Sequence, residues 1–254
     1  DIISISRGTN LVQGLPEALA LAQRSGAIVV VASPGSVGIE TFNLDLAGAN
    51  GMVVVEAAGP DGLPVPGLSI SHPLVTVAAP GAQMRIHNGY DNWDTYRLQN
   101  GTSLAAPWVA GALALVWSEH PEATGNQIIQ TLLRHTFQNN GDMDRHGDSL
   151  GYGTVSILNM LSADPTTYPD TNPLLRDGPR VYPSIAEITG EAPPEDGPTT
   201  PAPDAGAGEV PSGEGGGLPG VVVLGAVAAG GVVLLAVVVV VVVVVARRHR
   251  EGQS

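Results

Sequence analysis

Apolar and polar residues follow two distinct periods along the N-terminal part of the chain. Short apolar runs at residues 2–6 and 27–32 flank an amphipathic stretch at 15–24, which predicts a strand, a helix and a second strand. A β-α-β crossover of this kind pairs its two strands in parallel. Residues 52–56 and 74–78 predict two further strands. The pattern therefore predicts an α/β domain with a mostly parallel sheet.

Two helices are predicted after these strands. Residues 103–120 are rich in alanine and glycine, so we expect a helix that is buried on all sides against the sheet. Thr124 and Gln127 form a capping-box pattern that opens a second helix, which ends near His135. The domain is expected to cover residues 1–163. Because its first strand starts at residue 2, we also expect part of the sheet to come from upstream sequence.

The hydrophobic periodicity is lost between residues 164 and 220. This segment is rich in proline and glycine and carries ten acidic residues against two arginines. It offers too little apolar area to offset the entropy of an ordered chain. We interpret residues 168–188 as a strap lying on the domain, and residues 191–217 as an extended or disordered stalk.

The next segment, residues 221–246, contains only valine, alanine, leucine and glycine. As a helix it would be about 39 Å long, which exceeds the roughly 30 Å hydrocarbon core of a bilayer. Arg247, Arg248 and Arg250 follow directly, and basic residues favour the cytoplasmic side. The pattern predicts one transmembrane helix at 221–246, a cytoplasmic tail at 247–254 and an extracytoplasmic N-terminal domain at the cell membrane.

Overall charge and composition exclude two classes of protein. The formal net charge is −13 and 4% of the residues are aromatic, so the electrostatic attraction that dominates nucleic-acid binding is missing. The chain has no cysteine, which excludes a small domain held together by disulfides. We expect no nucleic-acid partner.

Ser103 is the strongest candidate for a reactive side chain. Residues 100–107 read Asn-Gly-Thr-Ser-Leu-Ala-Ala-Pro, which places this serine in the first turn of the predicted helix. Free N–H groups at a helix N-terminus stabilise negative charge, so the Ser103 amide could support an oxyanion while its hydroxyl attacks a carbonyl. The alternative is that Ser103 only caps the helix, which is a common role for serine.

The sequence Gly-Thr-Ser-Leu-Ala-Ala-Pro resembles the Gly-Thr-Ser-x-Ala-x-Pro motif around the nucleophile of subtilisin-like serine peptidases. Four further segments resemble that family in the same order: a substrate-wall strand, a strand with its oxyanion loop, an Ala-Ala-Pro-Gly segment and a closing Gly-Tyr-Gly. They lie at residues 5–8, 29–36, 77–81 and 151–153. The resemblance implies a three-layer subtilisin-like α/β fold over residues 1–163, with the N-terminal part of that fold missing.

The same resemblance implies roles for individual residues. Ser103 would be the nucleophile of a serine endopeptidase that forms an acyl-enzyme, and the Ser103 amide and Ser36 would stabilise the oxyanion. Ser36 stands where the family usually has asparagine, so it either donates a hydrogen bond, weakens catalysis by its shorter side chain, or is only a loop residue. The residues expected to bind substrate are Ser6, Arg7, Gly8, Ser33, Pro34, Gly35 and Thr102. Arg7 could favour acidic groups in the substrate.

A serine hydroxyl also needs a base and a carboxylate that orients this base. The family supplies both from segments upstream of those matched here, and this sequence contains neither. We interpret all six histidines as ordinary surface or helix-end residues: His72, His87, His120, His135, His146 and His249. The chain as given is therefore expected to be inactive, because its triad is incomplete.

No cofactor is expected. Asp142, Asp144 and Gly147 imitate the start of a calcium loop, but the twelfth position is Gly153 instead of glutamate. We interpret this loop as solvated and acidic, and calcium binding stays the weaker alternative.

These features lead to a membrane-anchored, extracytoplasmic serine endopeptidase that acts on polypeptides. Its arrangement of domain, stalk, anchor at residues 221–246 and basic tail resembles the mycosins, subtilisin-like proteins associated with type VII secretion, so secretion-complex proteins are candidate partners. The first alternative is an inactive peptidase fold that serves as a binding or assembly module, in particular of such a secretion system. The second alternative is a truncated remnant that does not fold.

Overall fold

The computed structural model describes residues 1–8, 10–34, 46–89 and 94–191. Within these ranges the chain forms strands and α-helices that we number in chain order. They are β1 (Ile2–Ile5), α1 (Leu15–Arg24), β2 (Ile28–Ala32), β3 (Val53–Ala58), β4 (Val77–Pro80), β5 (Met84–His87), β6 (Tyr96–Gln99), α2 (Thr102–Glu119), α3 (Gly125–Arg134), α4 (Ile157–Leu161) and α5 (Ile185–Thr189).

The first four strands form one sheet in the order β1-β2-β3-β4, and every neighbouring pair is parallel. In register, Ile2 pairs with Ile28, Val30 with Val53, and Val55 with Val77. The α/β class and the parallel sheet predicted from the sequence are thus confirmed. All parallel strands end at one edge of the sheet, where residues that follow different strands come together.

The strand predicted at residues 74–78 begins later, at Val77. A turn occupies the preceding residues, because the Val75 N–H donates to the oxygen of His72 and the Leu74 N–H donates to His72 Nδ1. These bonds keep residues 72–75 out of the ladder. The prediction was therefore wrong by about three residues at its start.

Side chains alternate between two cores, one on each face of the sheet. Val30, Val55 and Val77 point to a core shared with α2, α3 and α4, whereas Val31 and Val54 point to a core shared with α1. Burial of valine on both faces explains why these strands are continuous apolar runs. The result is a three-layer arrangement with the sheet in the middle.

The environment of α2 differs from the expectation that it is buried on all sides. The helix has an exposed stripe that contains Ser103, Pro107, Gly111, Ala114 and Leu115. The sheet, α3 and α4 all contact the opposite side of the helix. The alanines and glycines of α2 therefore serve close packing on one side only.

The β5–β6 hairpin was not predicted from the sequence. Its strands are antiparallel, with Met84 opposite Gln99 and His87 opposite Tyr96. Each strand alternates apolar and polar residues, but four residues are too few for that alternation to stand out from the surrounding loops. The hairpin leads directly into the turn before α2.

Residues 164–191 lie across the domain. Asn50, whose side chain is fully buried, donates from Nδ2 to the oxygens of Arg176 and Pro183, both at 3.0 Å, and accepts the Arg176 N–H at 2.8 Å. The capping box at Thr124 and Gln127 is present, and the Thr124 hydroxyl also donates to Asp170 at 2.6 Å. These bonds attach the segment to both α3 and the turn before β3.

None of the described helices is long and apolar enough to cross a membrane. The predicted anchor at 221–246, the tail at 247–254 and nearly all of the predicted stalk lie outside the described residues.

Candidate active site

The serine singled out in the sequence lies where the parallel strands end. Ser103 is the second residue of α2, and its side chain is exposed, whereas that of Thr102 is buried. Gly101 precedes the helix in an extended conformation, with φ 162° and ψ 145°. The N–H groups in the first turn of a helix have no acceptor within the helix. An exposed hydroxyl and the main-chain N–H of Ser103 therefore occupy the same turn.

Pro107 weakens the attachment of this turn to the rest of α2. A proline has no N–H, so Pro107 cannot donate to the carbonyl oxygen of Ser103 four residues earlier. The first turn consequently depends more on contacts with the sheet edge than an ordinary helix start does.

Three hydrogen bonds supply these contacts. The Gly101 N–H donates to the oxygen of Gly81 at 2.7 Å, and the Thr102 hydroxyl donates to the oxygen of Ser33 at 2.7 Å. Asn100 Oδ1 accepts the N–H of Gln83, also at 2.7 Å. The ends of β2 and β4 thus hold the residues immediately before Ser103 in place.

Gly81 makes this approach possible because it lacks a side chain. A Cβ atom at this position would lie 2.6 Å from Ala57 Cβ and 2.9 Å from the oxygen of Gly101. The Ala-Ala-Pro-Gly segment was noted in the sequence, but its contact with the turn before Ser103 was not predicted.

The residues expected to bind substrate follow two adjacent strands. Ser6, Arg7 and Gly8 are exposed after β1, and Ser33 and Pro34 come directly after β2. Ser33 is buried, with its hydroxyl close to the carboxyl group of Glu56. Gly35 and Ser36 lie outside the described residues, so the oxyanion role of Ser36 stays a prediction.

Glu56 is a buried acid beside this site that sequence analysis missed. Its carboxyl group accepts the N–H groups of Ala57 at 2.8 Å and Ile70 at 3.1 Å, and the hydroxyls of Ser33 and Ser69 lie nearby. Burial raises the pKa of Glu56, although the hydrogen bonds from Ala57 and Ile70 oppose this effect. A single acid within the apolar strand Val53–Ala58 was the available signal.

The described histidines all have local partners. His135 Nε2 lies 2.5 Å from the Tyr168 hydroxyl, His146 Nε2 lies 2.8 Å from Asn139 Oδ1, and His120 lies 3.8 Å from Glu122. His72 is buried in the turn before β4, so the expectation of a surface or helix-end position was wrong for this residue, and burial lowers its pKa. The fifth, His87, stacks on Tyr96 in the hairpin.

Metal ligation is not indicated by the described residues. Nowhere in residues 1–8, 10–34, 46–89 and 94–191 do three His, Cys, Asp or Glu side chains converge on a common point. The loop that imitates a calcium site is instead held by Asn139, whose Nδ2 donates to the oxygen of Asp144 at 2.9 Å.

A comparison with protein families decides the family of the chain. The model of the subtilase family, peptidase S8, matches residues 1–154. The chain belongs to this family. The resemblance seen in the sequence is thereby confirmed, and so is the subtilisin-like fold.

Individual relatives of this subtilase come from several bacteria. It is 30% identical to mycosin-5 of Mycobacterium tuberculosis over 141 aligned positions, and the alignment covers 52% of this chain and 24% of the relative. It is 32% identical to subtilisin DY of Bacillus licheniformis over 133 aligned positions, and the alignment covers 42% of this chain and 47% of the relative. A solved protease of Pseudoalteromonas arctica superposes with a TM-score of 0.52 at 26% identity, covering 64% of this chain and 50% of that one.

The subtilase spans less than half the length of the curated relatives it matches. The matched part contains the exposed serine, the two strand ends beside it and the Ala-Ala-Pro-Gly segment. Chemically, this arrangement places an exposed hydroxyl and main-chain N–H groups at one end of a helix.

Proposed function

We propose that this subtilase is a serine endopeptidase with Ser103 as its nucleophile. One observation supports this proposal most: Ser103 is exposed, yet the two residues before it are anchored to the sheet edge. Gly101 bonds to Gly81, and Thr102 makes a buried bond to Ser33. A serine that only caps a helix does not require such anchoring, because its side chain bonds within its own turn.

In the proposed reaction the Ser103 Oγ attacks the carbonyl carbon of a peptide bond while its proton passes to a histidine. The negative charge that develops on the carbonyl oxygen is stabilised by the Ser103 N–H. The amine leaves with the proton from the histidine, and water then hydrolyses the acyl-enzyme. We propose that the histidine and its aspartate come from family segments outside these 254 residues, and that the chain alone is inactive.

The proposed substrate is a polypeptide bound in extended form along residues 6–8 and 33–35. Thr102, which the resemblance assigns to substrate binding, would contribute through the hydrogen bond of its hydroxyl to the oxygen of Ser33. Arg7 is exposed at the end of β1, and its charge would favour acidic side chains in the substrate.

We further propose that residues 221–246 anchor the protein in the cell membrane, with the peptidase domain outside the cytoplasm and residues 247–254 inside. Residues 191–217 would act as a stalk between domain and bilayer. This arrangement resembles that of the mycosins, which makes proteins of a type VII secretion complex the proposed partners.

A second candidate is an inactive peptidase fold that binds or assembles other proteins. Serine at position 36, where the family usually has asparagine, favours this function. Loss of one oxyanion donor costs about 10²–10³ in turnover in the subtilisin example, and subtilisin is a member of this family.

Labelling with a fluorophosphonate probe distinguishes the two functions. The protein that includes the proposed upstream histidine and aspartate segments, which we call full-length, is expected to form a covalent adduct, and Ser103→Ala is expected to abolish it. Ser118→Ala is the matched control, because Ser118 is an exposed serine on the same helix whose hydroxyl bonds to the oxygen of Leu115. A folded full-length protein that does not react would contradict the peptidase proposal and favour the binding module.

A further inference from the structure

The hydrogen-bond ladder between β2 and β3 ends in an unusual way. The register runs from Val30 opposite Val53 to Ala32 opposite Val55, and the Ser33 N–H donates to the oxygen of Val55 at 2.8 Å. In a parallel ladder the next bond would run from the Ala57 N–H to the oxygen of Ser33. The Ala57 N–H instead donates to the carboxyl group of Glu56 at 2.8 Å.

Because the Ala57 N–H bonds to Glu56, the carbonyl oxygen of Ser33 is available for another hydrogen bond at the candidate active site. The oxygen of Ser33 accepts the hydroxyl of Thr102, the residue before Ser103. Glu56 thus takes the place of the Ser33 oxygen as acceptor for β3, and the Ser33 oxygen is used to hold α2.

We propose that Glu56 is a positioning residue: its carboxyl group ends the β2–β3 ladder one bond early, so that the Ser33 carbonyl fixes Thr102 and thereby Ser103. This inference rests on the proposed peptidase function. Glu56 does not touch the substrate or the reacting atoms. It acts through the main chain of Ala57 and Ser33.

Further contacts hold the main chain between Glu56 and the turn before Ser103 in a fixed position. Ala57 packs against Gly81, where a Cβ would approach Ala57 Cβ to 2.6 Å, and the oxygen of Gly81 accepts the Gly101 N–H. The second Glu56 oxygen accepts the Ile70 N–H, and Ser69 donates to the oxygen of Ala57 at 2.7 Å. If the Ala57 N–H changed its acceptor, the turn before Ser103 would be displaced through its contacts with the ends of both β2 and β4.

The test compares two substitutions of Glu56 in the full-length protein. Glu56→Leu removes the acceptor, so the Ala57 N–H must compete with Thr102 for the Ser33 oxygen. We expect kcat for a peptide substrate to fall about tenfold while KM changes less than about twofold, because a small displacement of a nucleophile acts on the chemical step. Glu56→Gln retains one oxygen acceptor and is expected to recover most of this loss.

Thr76→Val, directly before β4, is the matched control, because the Thr76 side chain also bonds to the main chain of β3. The Thr76 hydroxyl accepts the Val54 N–H at 3.0 Å, so its removal also deletes a buried side-chain acceptor of β3, but at the end away from Ser103. This variant is expected to lose stability and keep its kcat within about twofold. An equal fall in kcat for Thr76→Val and Glu56→Leu would overturn the proposal.

A double-mutant cycle with Thr102→Val tests the route itself. If Glu56 acts through the Ser33–Thr102 bond, Glu56→Leu should have little further effect on kcat once Thr102→Val has removed that bond. Fully additive effects would overturn the proposal, while the peptidase function would stand.

The experiments distinguish failure of the positioning role of Glu56 from failure of the proposed peptidase function. If the full-length protein hydrolyses peptides and Glu56→Leu leaves kcat unchanged, only the positioning role is wrong. If the folded protein does not hydrolyse peptides, the proposed function is wrong, and the same cycle is measured as shifts in the denaturant midpoint. Non-additive shifts would then support the Glu56–Thr102 linkage, and additive shifts would overturn it.

Discussion

Thr102 and Ser33 are 69 residues apart in sequence, yet the hydroxyl of Thr102 donates a 2.7 Å hydrogen bond to the main-chain oxygen of Ser33. This bond joins the start of α2 to the end of β2. Thr102→Val is nearly isosteric and removes only the donor. We expect it to destabilise the protein by about 1–2 kcal/mol, because a buried carbonyl loses its partner, and to lower kcat of the proposed peptidase activity about tenfold in the full-length protein.

Thr102→Ser is the control for this prediction, since serine keeps the hydroxyl and loses only a methyl group. Steady-state kinetics and denaturant unfolding of the three proteins provide the measurement. Equal kcat values for the valine variant and the unmodified protein would show that the bond does not position Ser103.

Gly81→Ala is expected to disturb the same turn from the side of β4. The new Cβ would lie 2.9 Å from the oxygen of Gly101 and 2.6 Å from Ala57 Cβ, so the turn has to move. We expect a loss of about 1–3 kcal/mol in unfolding free energy together with a fall in kcat of at least about tenfold.

Gly125→Ala is the control for Gly81→Ala, because it introduces a similarly close contact in a region away from Ser103. Its Cβ would lie 2.5 Å from the oxygen of Gly26, at the start of α3. This variant should lose stability and retain kcat when assayed below its melting temperature. If both glycine variants lowered kcat equally, loss of stability rather than displacement of Ser103 would explain the effect.

The sequence predicts the regular parts of this fold well, and the reasons lie in particular residues. The apolar runs in β1, β2 and β3 and the capping box at Thr124 are strong local signals, and the structure has each element within one or two residues of its predicted bounds. The bond from Thr102 to Ser33 and the role of Glu56 depend on the register at the end of a sheet. No local pattern encodes that register, so neither could be predicted.

Asn50 is expected to control the attachment of residues 172–188. It is fully buried, and its Nδ2 donates to the oxygens of Arg176 and Pro183 while its Oδ1 accepts the Arg176 N–H. Asn50→Asp would place a carboxylate oxygen against two carbonyl oxygens. We expect a loss of about 2–4 kcal/mol and much faster amide hydrogen exchange in residues 172–188.

Asn126→Asp is the comparison for this effect. The Asn126 side chain also bonds to the crossing segment, at Asp170, but this contact is exposed. It should change unfolding free energy by less than about 1 kcal/mol. Exchange in residues 172–188 that is equally slow in Asn50→Asp and the unmodified protein would show that the segment is held by other contacts.

Residues 221–246 are expected to retain the full-length protein in the membrane fraction after a carbonate wash. A variant that ends at residue 220 should be recovered in the soluble fraction, because each residue of the apolar run contributes to transfer into the bilayer. A variant that lacks only residues 247–254 should stay in the membrane. Recovery of the protein ending at residue 220 in washed membranes would show that another part of the chain holds it there.

Glu56 also gives the stability of the fold a characteristic dependence on pH. Burial raises the pKa of this carboxyl above its ordinary value, so the folded state binds the proton more tightly than the unfolded state does. Its contribution to stability is therefore fully present below the ordinary glutamate pKa of about 4.3 and is lost as pH rises through the raised pKa of the folded state.

Glu56→Gln removes this titration and leaves the other ionisable groups in place. We expect the unfolding free energy of the unmodified protein, minus that of Glu56→Gln, to fall as pH rises above the ordinary glutamate pKa and to level off above the raised pKa of the folded state. Urea denaturation at several pH values measures this difference, and a difference that rises with pH would mean that the hydrogen bonds from Ala57 and Ile70 outweigh burial.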